Sequence, residues 1–242
     1  MQQIKGEELD NYLAKGYYRW NRLIFTDNCC YDSINNIFVD VFWLRTNLTK
    51  LGNLKDLSIY KKNKKFIVTI SDSFIDEEIE ELYQRYRANL KFEPSETVNL
   101  CLNGKPETLP LAEFDTKTIQ IRDGEKLIAA SYFDMGKLTM MDITNFYDPN
   151  YKKYSLSKYM MLLKMELGNK IGMHFYYPGY LALNTTIFDY KIFPTAEAME
   201  VYIPEHQKWH SYNELKKEGL IPFGFYFNIN FEKFLNNLED IG

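Results

Sequence analysis

The stretch from Lys117 to Tyr180 constrains the fold of this chain more than any other. "KTIQIRDGEKLIAASYFDMG" carries two alternating or apolar runs on either side of Asp123-Gly124, a dipeptide suited to a type I′ hairpin turn. "KLTMMDITNFY" follows Gly136 as a third strand, and "YDPNYKKY" interrupts it. A helix is expected from about Ser155 to Asn169, and "MHFYYPGY" reads as a further strand. Hairpin-linked strands pair antiparallel, whereas a strand reached through a helix belongs to an α/β crossover. This order predicts an α/β (α+β) class: a mixed, mostly antiparallel sheet flanked by helices.

The rest of the chain fits around that unit. Leu9, Tyr12 and Leu13 suggest a short helix that stops at Gly16. "NNIFVDVFWLRTNL" and "KFIVTI" read as strands separated by a polar, lysine-rich connector, so residues 1–70 are expected to form a smaller β-rich unit and 71–242 the main domain. "DEEIEELYQRYRANL" reads as a helix, with acidic residues in its first turn and Ile79, Leu82, Tyr83 and Tyr86 on one face. Pro94, Pro106 and Pro110 mark an irregular region between Phe92 and Asp115. Met199–Ile203 reads as one more strand, followed by a short helix and an aromatic closing segment.

At 242 residues and 45% hydrophobic content the chain has ample material for a core. The net charge of -4 excludes general attraction to polyanions, so any nucleic-acid contact must be local. "YKKNKKF" is the dense basic run. Lys61, Lys62, Lys64 and Lys65 read either as a solvated loop or edge or as a phosphate-contacting patch. No leader-like segment and no run of 18 apolar residues is visible, which predicts a cytoplasmic protein with no membrane partner. Cys29, Cys30 and Cys101 lack C-x-x-C spacing, so neither a disulfide nor a metal is expected.

The break between strand and helix carries the functional information. A helix start presents free N–H groups to anions. A strand, a break and a helix is also the layout of the Gcn5-related N-acyltransferase fold. There the turn resembles Arg/Gln-x-x-Gly-x-Gly and lets a pyrophosphate approach the backbone. "DPNYKKYSLSKY" has no glycine, which disfavours acetyl-CoA.

A more specific resemblance covers most of residues 16–195. Tyr147, Asp148 and Pro149, then Ser155, Leu156 and Tyr159, then Tyr176, Tyr177, Gly179 and Tyr180, and finally Tyr190, Lys191 and Pro194 resemble in order the C-terminal signature of the arginyl-tRNA-protein transferases and their bacterial leucyl relatives. "GYYRW", "LYQRYRA" and "DGEKLIAASYFD" are similar to further segments of that family. The resemblance implies a Gcn5-related acyltransferase-like fold and transfer of arginine or leucine from aminoacyl-tRNA to the N-terminal amine of an acceptor protein. It implies no cofactor and no DNA partner.

Carried over residue by residue, the family implies catalytic roles for Tyr147, Asp148, Tyr177 and Tyr180. The candidate substrate contacts are Tyr17, Arg19, Trp20, Ser155, Tyr190 and Lys191, and Lys61, Lys62, Lys64 and Lys65, which stand near the place of the family's basic run without matching it, are the candidates for the tRNA backbone. Each has a structural alternative: Asp148 as a turn former before Pro149, the tyrosines as core, Arg19 as an ion pair, Tyr190 and Lys191 as a solvated surface pair. Two functional alternatives also stand, an acyl-CoA-dependent N-acetyltransferase and a non-catalytic peptide- or tRNA-binding relative.

Overall fold

The apolar runs of the central stretch become strands because their alternation can be buried on both faces. The computed structural model describes residues 3–32, 37–90, 94–104, 113–183 and 188–218. The first helix and hairpin are α1 (Glu7–Ala14), β1 (Tyr18–Trp20) and β2 (Leu23–Phe25), followed by β3 (Cys29–Asp32) and β4 (Ile37–Asn47). Next come α2 (Ser58–Asn63), β5 (Ile67–Asp72), α3 (Glu77–Arg87) and α4 (Val98–Asn103). The centre is β6 (Thr116–Asp123), β7 (Lys126–Met135), β8 (Thr139–Tyr147), α5 (Leu156–Lys170) and β9 (Phe175–Ala182). The described chain ends with β10 (Met199–Ile203), β11 (Lys208–Ser211) and α6 (Tyr212–Glu218). The aromatic closing segment lies outside the described residues, as do the stretches around Pro106 and Pro110.

The main sheet has the order β11-β10-β4-β9-β8-β7-β6-β5, with β3 added beside β4. Every neighbouring pair is antiparallel except β8 and β9, which are joined through α5. This is the mixed, mostly antiparallel sheet expected from the order of strands. Residue 70 does not divide two sheets. β4 pairs with both β9 and β10, and β5 pairs with β6, so strands from residues 1–70 complete the sheet of the main domain.

The β6–β7 turn differs in type from the expected one. Asp123 pairs with Lys126, which leaves Gly124 and Glu125 as the loop, and of these only Gly124 has a positive φ, at 62°. A type I′ turn needs positive φ at both central residues, whereas II′ places glycine at the first alone, and this turn follows the second pattern.

Helices cover both faces. α5 buries Leu156, Tyr159, Met160, Met161, Leu162, Leu163, Met165 and Gly168, packing with Ile119, Ile121, Phe133, Met140 and Tyr176 of the sheet. Gly168 is a close approach: a Cβ there would meet Leu48 at 2.7 Å and the Met140 sulfur at 3.1 Å. On a second core, Ile79, Leu82 and Tyr83 of α3 and Val98 and Leu102 of α4 meet Ala130, Tyr132 and Phe146. α1 joins a third around Tyr18, Trp43, Met141 and Tyr177.

The parallel ladder between β8 and β9 is short. It holds Thr139↔Phe175, Met140↔Tyr176 and Met141↔Tyr177 and then ends. The next position on β9 is Pro178, which has no N–H to donate to the ladder. Beyond it, β8 pairs only with β7 from Asp142 to Tyr147, and β9 pairs only with β4 from Gly179 to Ala182. The two strands therefore part and leave a gap in the sheet.

A buried polar network braces the point where they part. Asp142 Oδ1 accepts from Lys164 Nζ of α5, and Oδ2 accepts from the Tyr176 hydroxyl at 2.9 Å and from Asn145 Nδ2 at 2.6 Å. Lys164 Nζ also donates to Ser131 Oγ and Asn145 Oδ1, each at 2.8 Å. The network thus ties β7, β8, α5 and β9 together. Lys164 is fully buried; burial pushes its pKa down while the Asp142 carboxylate opposes the shift. Burial, then Asp142, pushes the Tyr176 hydroxyl well above the usual tyrosine range.

Removing one partner of such a pair strands a charge in the interior, at about 3–5 kcal/mol. Lys164→Met is expected to lower the urea-unfolding free energy by about that amount. The double variant Lys164→Met, Asp142→Asn should recover much of the loss because no uncompensated charge remains.

Candidate active site

The gap between β8 and β9 is walled by aromatic rings. On the β9 side Tyr180 stands edge-on to Trp43, with centroids 5.3 Å apart, and edge-on to Phe188 at 5.0 Å. Tyr18 stacks on Trp43 at 4.5 Å and donates its hydroxyl to the Tyr177 carbonyl, fixing the backbone just before Pro178. On the β8 side Tyr147 packs against Tyr86 of α3 at 5.5 Å. Tyr190, 37% exposed, stands across the gap: its hydroxyl is within electrostatic reach of Asp142 and Tyr147 of β8 and of Tyr180 of β9. Burial comes first and these neighbours second in pushing the Tyr190 hydroxyl pKa up.

Lys191 enters beside them. Its ammonium donates to the Tyr180 carbonyl at 3.2 Å and lies 4.6 Å from the centroids of both Tyr180 and Phe188. Gly179 makes room for it: at φ 108° the residue is in a conformation that side chains avoid, and a Cβ there would stand 2.8 Å from Nζ. Burial pulls the Lys191 pKa down to about 8, with Asp142 opposing.

A basic face adjoins the gap. Lys61 and Lys62 lie on α2, and Lys64 and Lys65 follow it; all four are exposed. The lysine-rich run is therefore largely a short helix rather than the loop or edge considered above. Buried Asn63 pins it, donating to Ile59 O at 2.8 Å and to Tyr154 O at 2.9 Å. Tyr154 closes the 3-10 turn Pro149–Tyr154 that leads into α5. Lys62 donates to the Lys153 carbonyl, Lys65 donates to the Tyr154 hydroxyl at 3.1 Å, and Lys152 and Lys153 extend the exposed positive surface. The Lys65 hydrogen bond lowers the Tyr154 pKa. This face thus surrounds the start of α5, where exposed Ser155 adopts a left-handed conformation at φ 53°, ψ 47° and makes no side-chain cap.

Three of the residues expected in the site belong to the fold instead. Arg19 has a fully buried side chain: it pairs bidentately with Asp134 at 2.7 and 2.8 Å, donates to Leu102 O at 2.8 Å and lies over the Phe114 ring. Its guanidinium is satisfied inside the fold. Asp148 is 1% exposed, accepts from Asn150 N at 2.9 Å and pairs with Lys126 at 2.7 Å. Burial would raise its pKa, but Lys126 and the Asn150 N–H outweigh it and hold the carboxyl low, so Asp148 is the turn former. The Tyr177 ring is 1% exposed and packs on Trp209 at 5.5 Å; it is core.

Tyr17 stands edge-on to Tyr12 at 5.7 Å, and Trp20 is 61% exposed on the β1–β2 hairpin, facing Phe25. Cys29 and Cys30 are successive on β3, so their side chains project to opposite faces and do not converge on one ion. The Cys30 side chain bonds the Tyr180 hydroxyl, and the Cys29 thiol lies 3.6 Å from Asp27. Among the described residues no group of three or more His, Cys, Asp or Glu side chains could hold a metal ion.

Asp142, Lys164 and Tyr18 shape the gap and were not singled out from the sequence, and Tyr176, matched to the family signature, was given no site role there. Their signal was faint: Asp142 in "MMDIT" and Lys164 in "MLLKMEL" are charges set inside apolar runs, which burial makes costly without a partner.

The family model described as "Arginine-tRNA-protein transferase, C terminus" matches residues 61–198, more than half of the chain. An aspartate/glutamate leucyltransferase of Leptospira interrogans is 22% identical over 224 residues, covering 89% of this chain and 83% of the relative. One of Nitrosococcus oceani is 31% identical over 96 residues, 39% of each chain. Among solved structures, the L-PGS of Bacillus licheniformis aligns at 10% identity with a TM-score of 0.41, covering 77% of this chain and 53% of that one. A DUF2156 C-terminal domain of Agrobacterium fabrum aligns at 9% identity with a TM-score of 0.45, covering 60% and 49%. The chain thus spans about half the length of each of these two structures. Its family match, running from the lysines of α2 through the gap to Ala198, makes this chain a member of the arginyl-tRNA-protein transferase family, an aminoacyl-tRNA-protein transferase.

Proposed function

We propose that the gap between β8 and β9 receives the aminoacylated 3′ end of a tRNA together with the N-terminal amine of an acceptor protein. The observation that carries this reading is the parting of β8 from β9 at Asp142 and Pro178, with tyrosines along the gap and a lysine face beside it. Amide formation needs a neutral amine held against an ester carbonyl and a donor for the developing oxyanion. The amine nitrogen bonds to the carbonyl carbon, the bond to the ribose oxygen breaks, and that oxygen takes the proton the amine gives up. The ester is already activated, so positioning supplies most of the acceleration.

The tyrosines suit the role of donors. With its pKa raised, Tyr190 keeps its proton at neutral pH. The Tyr18 hydroxyl is used by the Tyr177 carbonyl, that of Tyr176 by Asp142, and that of Tyr180 by Cys30. Tyr190 and Tyr147 make no hydroxyl hydrogen bond among the described residues, which favours them as the donors to the reacting carbonyl. Lys61, Lys62, Lys64 and Lys65 take the tRNA backbone, and Ser155 lies at the rim between that face and the gap. No helix among the described residues is long and apolar enough to cross a membrane. The reading places the protein in the cytoplasm with charged tRNA as donor, and requires no DNA. The names of the relatives favour acceptors that begin with aspartate or glutamate.

The test is transfer of labelled arginine or leucine from charged tRNA to peptides that start with Asp or Glu. Transfer from at least one donor is expected, and silence across the panel rejects the reading. Tyr190→Phe should lower kcat roughly 10²–10³-fold, the usual loss for an oxyanion donor, with a smaller change in KM. Lys62→Ala and Lys65→Ala should each weaken tRNA binding and reduce the slope of log K against log salt by about 0.7–0.9. Unchanged slopes would remove these lysines from the interface.

A further inference from the structure

We propose that Lys191 reads the acceptor, pairing its ammonium with the carboxylate of an acidic first side chain. The inference rests on the gap being the transferase site and assigns to one residue a role in choosing the acceptor.

The argument begins with charge. Two buried lysines, Lys164 and Lys191, stand near one buried carboxylate, Asp142. Asp142 is already engaged: Oδ1 accepts from Lys164, and Oδ2 accepts from Tyr176 and Asn145. It acts on Lys191 only through space. Lys191 forms no ion pair among the described residues, and its nearest acidic neighbour in sequence, Asp189, is not one of the groups acting on it. An ammonium has three protons to donate, and among the described residues its acceptor is the Tyr180 carbonyl at 3.2 Å. A charge withdrawn from water with so little compensation is costly to keep, and an arriving anion relieves that cost.

The surroundings select the kind of anion. The rings of Tyr180 and Phe188 lie on the ammonium at 4.6 Å each, and positive-φ Gly179 has no side chain where the ammonium stands. A single compact cation between aromatic walls matches one carboxylate on a short side chain. A phosphate is better served by the exposed group of Lys61, Lys62, Lys64 and Lys65 outside the gap. A neutral amide of the same shape, as in asparagine or glutamine, would leave the Lys191 charge uncompensated, which is the basis of discrimination.

The experiment compares peptides that differ only in the first residue, Asp against Asn and Glu against Gln. Binding is measured by calorimetry without tRNA, using wild type, Lys191→Met and Lys191→Gln. Wild type should favour the acidic peptide by at least roughly tenfold, and both variants should bring that ratio close to one. Both variants should also fold, since each removes a buried unpaired cation, and Tm checks this. An acid-to-amide ratio that survives in the variants, or is absent from wild type, overturns the assignment. The same ratio in kcat/KM for transfer adds a second arm: a parallel fall with acidic and amide peptides would place Lys191 in the reaction itself and overturn the acceptor role. If the binding ratio behaves as expected but no charged tRNA supports transfer, the transferase reading fails while the Lys191 assignment stands.

Discussion

The three-residue ladder between β8 and β9 is the constraint on which the rest of the molecule depends. Parallel strands joined by a helix would ordinarily pair along their full length, burying the backbone donors of both. Here Pro178 removes the donor at the next rung, and Asp142 turns the facing position over to side-chain bonds. Each freed segment keeps its other neighbour, β7 for β8 and β4 for β9. The gap is therefore flanked on each side by a paired strand. A site meant to hold two substrates in one geometry needs walls of this kind.

The same point explains the interior charges. Lys164 projects from the middle of α5, between the buried residues Leu163 and Met165, where a methionine or leucine would carry no charge into the interior. Its reach to Ser131, Asp142 and Asn145 spans the strands on one side of the opening, and Tyr176 brings in the strand on the other. A buried ion pair is a poor source of stability compared with apolar packing, but it specifies geometry. Hydrophobic contact alone would tolerate β8 and β9 closing further; a network in which every donor has a fixed acceptor does not.

Much of this fold was readable from local pattern. β6, β7, β8, α5 and β9 are long or strongly patterned segments in sequence order, and their boundaries differ from the expected ones by a few residues. What local pattern does not contain is a partner. β4 reads as a buried strand, yet nothing in "IFVDVFWLRTN" says that it inserts between β9 and β10, which lie more than a hundred residues later. For the same reason a boundary at residue 70 looked natural in sequence and has no counterpart in the sheet. Of the residues in the aromatic and tyrosine motifs, Tyr147, Tyr180, Tyr190 and Lys191 gather at the gap. Arg19, Asp148 and Tyr177 belong to the same motifs but hold the scaffold, a distinction that only burial and partners make.

The chemistry of the donor accounts for the division between the gap and the lysine face. An acyl carrier with a pyrophosphate close to its reacting end calls for a glycine turn that lets backbone N–H groups reach the phosphate oxygens. A charged tRNA carries its amino acid on a terminal ribose, while most of its negative charge runs along a backbone that leads away from the reacting carbonyl. Its carrier can be held at a distance by exposed lysines, and the turn before the helix is free to be bulky. In this chain that turn contains Tyr151, Lys152, Lys153 and Tyr154 in place of glycines, and Asn63 locks it to the lysine-bearing α2. The absence of glycine from this turn and its attachment to a basic helix are both what the proposed site asks for, with the backbone of the carrier met outside and its acyl end inside.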